Sequence, residues 1–207
     1  RRHNLSYGVN LSHQTIMERA REWELRDSAG YTLPTDGEHI RMIYNLSSHQ
    51  DLSTTRMAFY VADSYRLQTS SGYFAFNGGL RFSYWDFNKE FLVSPRLNVA
   101  FVPERNSSLT LRFATGLYYQ QPFYKEFRQP LTDAEGNTTI NLNAEIKSQQ
   151  SLHFILGGDY TFRMFNRPFK FSGEAYYKKL NKLIPYEIDN LKVVYEGVNL
   201  TDGYTAG

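Results

Sequence analysis

Long runs in which apolar and polar residues alternate constrain this chain more than any other feature. Such runs cover residues 5–12, 56–62, 74–85, 96–101, 109–119, 152–162 and 169–178. Successive side chains of a β-strand point to opposite faces, so a period of two indicates strands with one apolar and one polar face. We predict an all-β, antiparallel chain of seven long strands, with an eighth that begins near Asn199.

The length of these runs bears on the type of β-protein. Most of the predicted strands are about 9 to 12 residues long. Strands of globular proteins usually have about 5–6 residues, whereas about 9–11 residues cross a bilayer at a tilt. Strand length therefore favours a transmembrane barrel over a soluble sandwich.

The links between strands alternate in length. The short links are residues 69–72, 104–107 and 164–168, and the longer links are 24–50, 86–93, 120–147 and 185–199. Outer-membrane barrels have short periplasmic turns and longer extracellular loops, so the alternation indicates which strand ends lie outside.

One segment fits two structures. Residues 15–25 suit a short helix, with Ile16, Ala20 and Trp23 on one stripe, or a strand that extends beyond the membrane. We favour the strand, followed by a turn at residues 27–30.

The predicted polar face combines glycine and alanine with isolated charges. This composition is typical of a crowded polar lumen, whereas a solvated face more often carries lysine, glutamate and threonine at high density. The charged residues that we predict to line the lumen are Arg56, Arg81, Arg96, Arg112, Asp159, Glu174 and Lys178.

Aromatic residues make up 16% of the chain and cluster near the predicted strand ends. Rings of Tyr, Trp and Phe are stable at the lipid headgroups, so the clusters predict interfacial girdles. The ordinary preference of aromatic residues for strands is the alternative. The clustered residues include Tyr65, Tyr73, Tyr84, Trp85, Phe87, Tyr118, Tyr119, Phe123, Tyr124, Tyr160, Phe162, Phe165 and Phe169.

Composition and motifs argue against several other functions. Without cysteine there is no disulfide, thiolate metal site or cysteine nucleophile. An evenly spread net charge of +2 gives no electrostatic footprint for nucleic acid. The five histidines have no metal-binding spacing, no nucleophile or phosphate-binding motif is present, and the carboxylates are scattered. We therefore name no catalytic residue, no metal ligand and no cofactor.

Four segments carry a resemblance to a known family. They are residues 79–88 (GLRFSYWDFN), 94–103 (SPRLNVAFVP), 111–122 (LRFATGLYYQQP) and 174–187 (EAYYKKLNKLIPYE). In sequence, order and spacing they resemble the barrel of TonB-dependent outer-membrane receptors. The resemblance implies a 22-stranded barrel in a Gram-negative outer membrane, with residues 1–207 forming part of that one domain.

The resemblance also implies a function and partners. Such receptors take up a scarce nutrient actively, and the substrate could be a ferric chelate, oligosaccharide, peptide or vitamin. The expected partners are outer-membrane lipid, the receptor's own plug domain and remaining barrel strands, TonB through an N-terminal part outside this sequence, and in some systems a surface lipoprotein. We expect both ends of the sequence to be cuts within a longer polypeptide.

Ligand contact is expected in the long link at residues 120–147. Its aromatic, amide and basic side chains suit a sugar face or an anionic chelate, and the residues concerned are Gln121, Phe123, Tyr124, Lys125 and Arg128. A simple solvated loop is the alternative. Residues 26–50, with His39 and His49, form a second candidate region. The predicted lumen arginines would face plug carboxylates or ligand anions, or pair with Asp159 and Glu174.

Two other functions remain open from the sequence. One is a small self-contained outer-membrane barrel with a structural or adhesive role, and the other is a soluble β-sandwich that binds carbohydrate. Seven strands cannot close a bacterial barrel, because strand numbers are even and an open edge in lipid leaves backbone groups unsatisfied. The remaining strands are therefore expected elsewhere in the polypeptide.

Overall fold

A computed structural model describes residues 3–26, 41–134, 137–189 and 192–207. Seven long strands dominate it: β1 (His3–Arg26), β2 (Arg41–Thr69), β3 (Gly72–Trp85), β4 (Glu90–Pro103), β5 (Leu109–Gln120), β8 (Gln149–Met164) and β9 (Arg167–Leu183). The shorter elements are a 3₁₀ helix (Tyr124–Phe127) and strands β6 (Arg128–Thr132), β7 (Asn137–Leu142), β10 (Tyr186–Asp189), β11 (Lys192–Tyr195) and β12 (Thr201–Ala206). Among the described residues, no helix has the length and apolar character needed to cross a membrane.

The long strands form one curled, antiparallel sheet. Its order is β1-β2-β3-β4-β5-β8-β9-β12, so that almost every strand pairs with its sequence neighbour. The sheet is a half-barrel. The all-β fold and its seven long strands are confirmed, and β12 is the predicted eighth strand.

The pairing register gathers the apolar residues of every strand on one face. Val9 lies opposite Phe59, Phe59 opposite Phe82, and Phe82 opposite Val93. Many of these side chains are exposed, with Val9 at 78% and Leu156 at 63%. Across the described residues no second sheet covers this face, which contradicts the β-sandwich alternative. A continuous exposed apolar surface of this kind indicates contact with another protein surface or with the apolar interior of a membrane.

Strands β1 and β2 are longer than predicted, and both continue past the length expected to cross the membrane. Residues 15–25 are strand, as favoured, with Ile16 opposite Leu52 and Trp23 opposite Asn45. Much of the predicted link 24–50 therefore pairs as a ribbon, because β-branched and apolar residues continue into it. The predicted turn at 27–30 lies outside the described residues.

The link after β3 also differs from prediction. The link expected over residues 86–93 is a tight turn at 86–89, after which β4 begins at Glu90. The Asp86 carboxylate joins the start of this turn to β2 by accepting hydrogen bonds from the Thr54 hydroxyl (2.5 Å) and the Thr55 amide (2.9 Å).

The short links are tight turns, as predicted. Phe165 and Asn166 have φ of 52° and 59°, the left-handed pair that joins two antiparallel strands with matching twist. Gly72 has φ of 146°, and a Cβ built there would lie 2.3 Å from the Val102 carbonyl oxygen, so this position requires glycine.

Aromatic rings stack in a row on the apolar face near the short-turn end of the sheet. Tyr65 stacks on His3 at 4.4 Å and on Phe76 at 6.3 Å between ring centroids, and Phe74 stacks on Phe101 at 4.4 Å. Trp85, which we expected in a girdle, is instead fully buried at the other end, on the polar face. The girdle prediction is therefore wrong for Trp85.

Candidate functional site

The long link after β5 folds back onto the polar face of the sheet as a docked layer. We call residues 121–148 the docked loop; it holds the 3₁₀ helix and the β6–β7 hairpin. Side chains of the sheet bind its backbone: Arg56 donates to the Pro122 carbonyl (3.1 Å), Gln50 to the Ile140 carbonyl (2.6 Å) and Asn88 to the Ile146 carbonyl (2.8 Å). These bonds hold its described residues in one place.

A small hydrophobic core lies between the docked loop and the sheet. Trp85, Phe127, Ile146 and Ile184 are buried there, with the Phe127 ring 5.7 Å from Trp85 in an edge-on contact. The Trp85 indole N–H donates to the Thr54 hydroxyl at 2.7 Å. Burial of one large aromatic side chain stabilises by about 1.5–3 kcal/mol. This core excludes the simple solvated loop as an account of residues 122–148.

Glu18, on the extended part of β1, binds the docked loop through both carboxylate oxygens. Oε2 accepts from the Tyr124 hydroxyl at 2.7 Å, and Oε1 pairs with the Arg128 guanidinium at 3.0 Å. Burial, followed by the hydrogen bond to Glu18, raises the pKa of Tyr124, so its phenol stays protonated as the donor. Tyr124 is therefore directed toward β1.

A second carboxylate, Glu126, is buried within the docked loop itself. It accepts from the Phe123 amide (3.0 Å) and from the Gln149 side chain (3.1 Å). Burial raises the pKa of Glu126 and the two hydrogen bonds oppose that shift, with burial the larger effect. Glu126 thus joins the first turn of the docked loop to the start of β8.

A cavity of about 590 Å³ lies between the docked loop, the extended strands β1 and β2, and β11. Three of the five predicted ligand residues line it: Phe123, Lys125 and Arg128. Its other walls are Glu22, Tyr44, Leu46, Pro130, Ile140, Val193, Val194 and Tyr195. Phe123 meets Tyr195 edge-on, with 5.4 Å between the ring centroids.

The remaining two predicted ligand residues have other surroundings. Tyr124 faces Glu18, and neither it nor Gln121 is among the residues that line the cavity. Sequence reasoning named neither Tyr44, which lies in the second candidate region (residues 26–50), nor Tyr195, which lies in the predicted link 185–199. The short apolar run 193–195 was the available signal for a strand there.

A second cavity of about 420 Å³ adjoins the first. It is lined by Gln129, Pro130, Leu131, Glu187, Val194, Tyr195 and Glu196. Pro130, Val194 and Tyr195 line both cavities and form the wall that they share.

The second candidate region, residues 26–50, contributes Tyr44 and Leu46 to the larger cavity. His39 lies outside the described residues. His49 is exposed, with its Nε2 3.4 Å from an Asp51 carboxylate oxygen, and does not line either cavity.

The charged residues predicted to line a lumen all occupy the face opposite the apolar surface. The register places Tyr60 opposite Arg81, Gly79 opposite Arg96, and Gly157 opposite both Arg112 and Glu174. Glycine at these positions leaves room for the long side chains, and the aliphatic part of Arg96 lies against Gly116.

The arginines on this face have two kinds of partner. Arg112 pairs with Asp159 at 3.2 Å, one of the expected wall pairs, and Lys170 reaches the same carboxylate at 3.5 Å. Arg56 instead lies over the Trp85 ring at 4.4 Å, and Arg96 lies over Tyr118 at 4.3 Å. Stacking on an aromatic face neutralises no charge, so Arg96 keeps a positive field, whereas Arg56 also interacts electrostatically with the Asp86 carboxylate.

Comparison with known proteins gives a family and a fold. The family model described as "TonB dependent receptor-like, beta-barrel" matches residues 2–202. A solved structure of the ferric enterobactin receptor PfeA in complex with BCV-L6 has a TM-score of 0.65 and 14% sequence identity. The match covers 99% of this chain and 30% of the receptor. No curated protein matches by sequence.

Proposed function

The chain belongs to the TonB-dependent receptor β-barrel family, and from that premise we propose that it forms part of the wall of an outer-membrane active transporter. The observation that carries the proposal is one open sheet with an exposed apolar face and a charged, glycine-rich opposite face. In a transmembrane barrel the first face contacts lipid and the second lines the lumen.

On this proposal the partners follow from the two faces and two edges of the sheet. The apolar face contacts outer-membrane lipid, and the free edges of β1 and β12 pair with the remaining barrel strands. Arg56, Arg81, Arg96, Arg112, Asp159 and Glu174 surround the receptor's plug domain, which TonB acts upon. A surface lipoprotein is a further partner on the loop side.

The two adjoining cavities are the proposed site of ligand contact. They lie beyond the end of the barrel strands that carries the longer links, and the link lengths assign that end to the cell exterior. Phe123, Lys125 and Arg128 bring an aromatic ring and two cations to the larger cavity. A cavity of this size accommodates a small ligand. Ferric chelates, oligosaccharides, peptides and vitamins are the substrate classes to be tested.

The first experiment examines the native polypeptide and its uptake. We expect an intact mass well above 60 kDa, extraction only with detergent, and uptake in cells with TonB that is lost in cells without it. A native polypeptide of about 24 kDa, or uptake that is unaffected by loss of TonB, would contradict the transporter.

The second experiment tests the cavities. Deleting residues 121–146 should lower uptake while the barrel still folds, as judged by heat-modifiable mobility on gels. Because the deletion also removes Phe127 from above Trp85, Lys125→Ala and Phe123→Ala serve as milder variants that leave the core intact. Unchanged uptake in all three variants would remove these residues from ligand binding.

A further inference from the structure

The two cavities carry opposite charge. Lys125 and Arg128 line the larger one, and Glu187 and Glu196 line the smaller one. Glu22 also lines the larger cavity, but it interacts with another residue of the chain. Arg128 is likewise paired, with Glu18, so Lys125 is the cation of the larger cavity without an ion-pair partner among the described residues, and two carboxylates lie in the smaller cavity.

Among the residues that the structure describes, three of these charges have no partner of opposite sign. Across the ion pairs of the described residues, Lys125, Glu187 and Glu196 take part in none. Arg128 pairs with Glu18 through a terminal nitrogen, while its Nε is buried with no hydrogen-bond partner among the described residues. Because Glu18 supplies the counter-charge of Arg128 and this nitrogen is inaccessible, Lys125 is the cation of the larger cavity that is open to a ligand.

The shared wall is apolar. Pro130, Val194 and Tyr195 form it, and Leu46, Ile140 and Val193 extend it into the larger cavity. A ligand that reaches both cavities therefore presents an anionic group, an apolar middle and a cationic group, in that order.

We propose that this site binds a short linear peptide with free termini. Its C-terminal carboxylate lies at Lys125 and Arg128, its apolar side chains lie against Tyr195 and Val194, and its N-terminal ammonium lies at Glu187 and Glu196. The inference rests on the proposed transport function and names the substrate class of the same site.

The charges discriminate against the other substrate classes. An anionic ferric chelate that entered the smaller cavity would meet two carboxylates, and like charges placed together oppose binding. A neutral oligosaccharide offers no counter-charge to the exposed side chains of Lys125, Glu187 and Glu196. A zwitterionic peptide satisfies both ends at once.

Binding of a defined probe to the full-length receptor tests the inference. The probe is the pentapeptide GLVLG in four forms: with free termini, with an acetylated N-terminus, with an amidated C-terminus, and with both ends blocked. Calorimetry should show tightest binding for the free form, and each block should weaken binding about fivefold, the size expected for one partly exposed ion pair.

Variants assign each end of the peptide to its cavity. In Lys125→Gln, amidation of the C-terminus should have little further effect, while acetylation of the N-terminus should still weaken binding. In the double variant Glu187→Gln/Glu196→Gln the pattern should be reversed. Lys147→Gln and Glu145→Gln are the matched controls, because both residues are exposed in the docked loop and line neither cavity. The controls should behave as the unmodified receptor.

Two results would overturn the inference. One is tighter binding of maltohexaose or a ferric catecholate than of the free pentapeptide. The other is a blocking effect that remains the same in the charge variants. Neither result affects the proposed function, which fails only if uptake does not depend on TonB or if the native polypeptide is too small to close a barrel.

Discussion

Among the residues of the docked loop, Phe127 is the one whose truncation should destabilise docking most. It is 1% exposed and contacts Trp85, Phe87 and Tyr124 with ring centroids 4.8–5.7 Å away. Truncation of a buried phenylalanine to alanine costs about 3–5 kcal/mol, from lost burial and the cavity that remains. The loop has few other buried apolar side chains to hold it.

We therefore expect Phe127→Ala to release the docked loop while the strands stay folded. Hydrogen exchange should rise in residues 121–148 and remain slow in β3 and β4. Phe165→Ala is the control, because Phe165 lies in the short turn between β8 and β9, at the opposite end of the sheet, and should leave exchange in the docked loop unchanged. Equal exchange in Phe127→Ala and the unmodified protein would show that the core does not hold the loop.

Glu126 makes docking of the loop dependent on pH. Burial raises the pKa of Glu126 above that of the released loop, so the docked loop binds this proton more tightly. The resulting stability is fully present below the carboxyl's ordinary pKa and is lost as pH rises through the raised value. Acidification from pH 7 should therefore slow hydrogen exchange in the docked loop, after correction for the intrinsic rates.

Glu126→Gln should remove this dependence on pH. The neutral amide can still accept from the Phe123 amide, and the Gln149 amide can turn to offer its oxygen. Glu145→Gln is the matched control: Glu145 is exposed in the same loop and should leave the pH profile as it is. Docking that weakens on acidification would contradict the assignment to Glu126.

At the scale of elements, the extended strands β1 and β2 act as a platform for the docked loop. Glu18 on β1 and Gln50 on β2 lie opposite each other in the register, and both bind the loop. β7 adds two parallel pairs to β2, at Asn45 and Leu46. The length of these strands beyond the membrane span is thus what positions the larger cavity.

Glu18→Gln should loosen this attachment selectively. It leaves the partly buried Arg128 guanidinium without its counter-charge, which should cost about 1–3 kcal/mol of docking free energy. Tyr124→Phe removes only one hydrogen bond and should cost about 0.5–1.5 kcal/mol. Hydrogen exchange of residues 121–132 in both variants measures the difference.

A double variant checks that the two residues act as a pair. Glu18→Gln/Arg128→Gln removes both charges and should restore part of the docking lost in Glu18→Gln, because no unpaired ion remains. Additive losses in the double variant would show that Glu18 and Arg128 act separately.

The barrel strands were predictable from the sequence because each one repeats the same signal. Alternation over residues 74–85 or 152–162 leaves one possible pair of faces, and a slip by one residue would exchange them. The pattern placed Arg81, Arg96, Arg112 and Glu174 on a common face, and the register brings them there.

The docked loop was not predictable in the same way. Its core joins Trp85, Phe127, Ile146 and Ile184, which are distant in sequence and follow no common period. Such contacts depend on tertiary packing, which single-sequence patterns do not encode. The sequence nevertheless singled out Phe123, Lys125 and Arg128, which line the larger cavity, because aromatic and basic residues in a long loop are informative by type; their contact with a ligand stays a prediction.

At the scale of the whole molecule, the main question is which environment each face of the sheet meets. The apolar face is continuous from β1 to β9, while the opposite face has charges at every strand from β2 to β9. Two adjacent residues of one strand lie on opposite faces of the sheet. In β4, Leu97 lies on the apolar face between Gly78 and Thr115, and Asn98 lies on the polar face between Asn77 and Ala114.

Leu97 and Asn98 allow the environment of each face to be tested directly in the full-length protein. An arginine at the bilayer midplane on the lipid face of a barrel costs roughly 2–4 kcal/mol, whereas lumen substitutions are tolerated. Leu97→Arg should therefore lower the urea concentration at which the folded barrel unfolds in lipid vesicles, and Asn98→Arg should change it little. Both variants introduce the same side chain at adjacent positions near the centre of the same strand, so the main difference between them is the face that the arginine enters. Equal losses, or a larger loss for Asn98→Arg, would show that the apolar face does not contact lipid, and the barrel-wall assignment would fail with it.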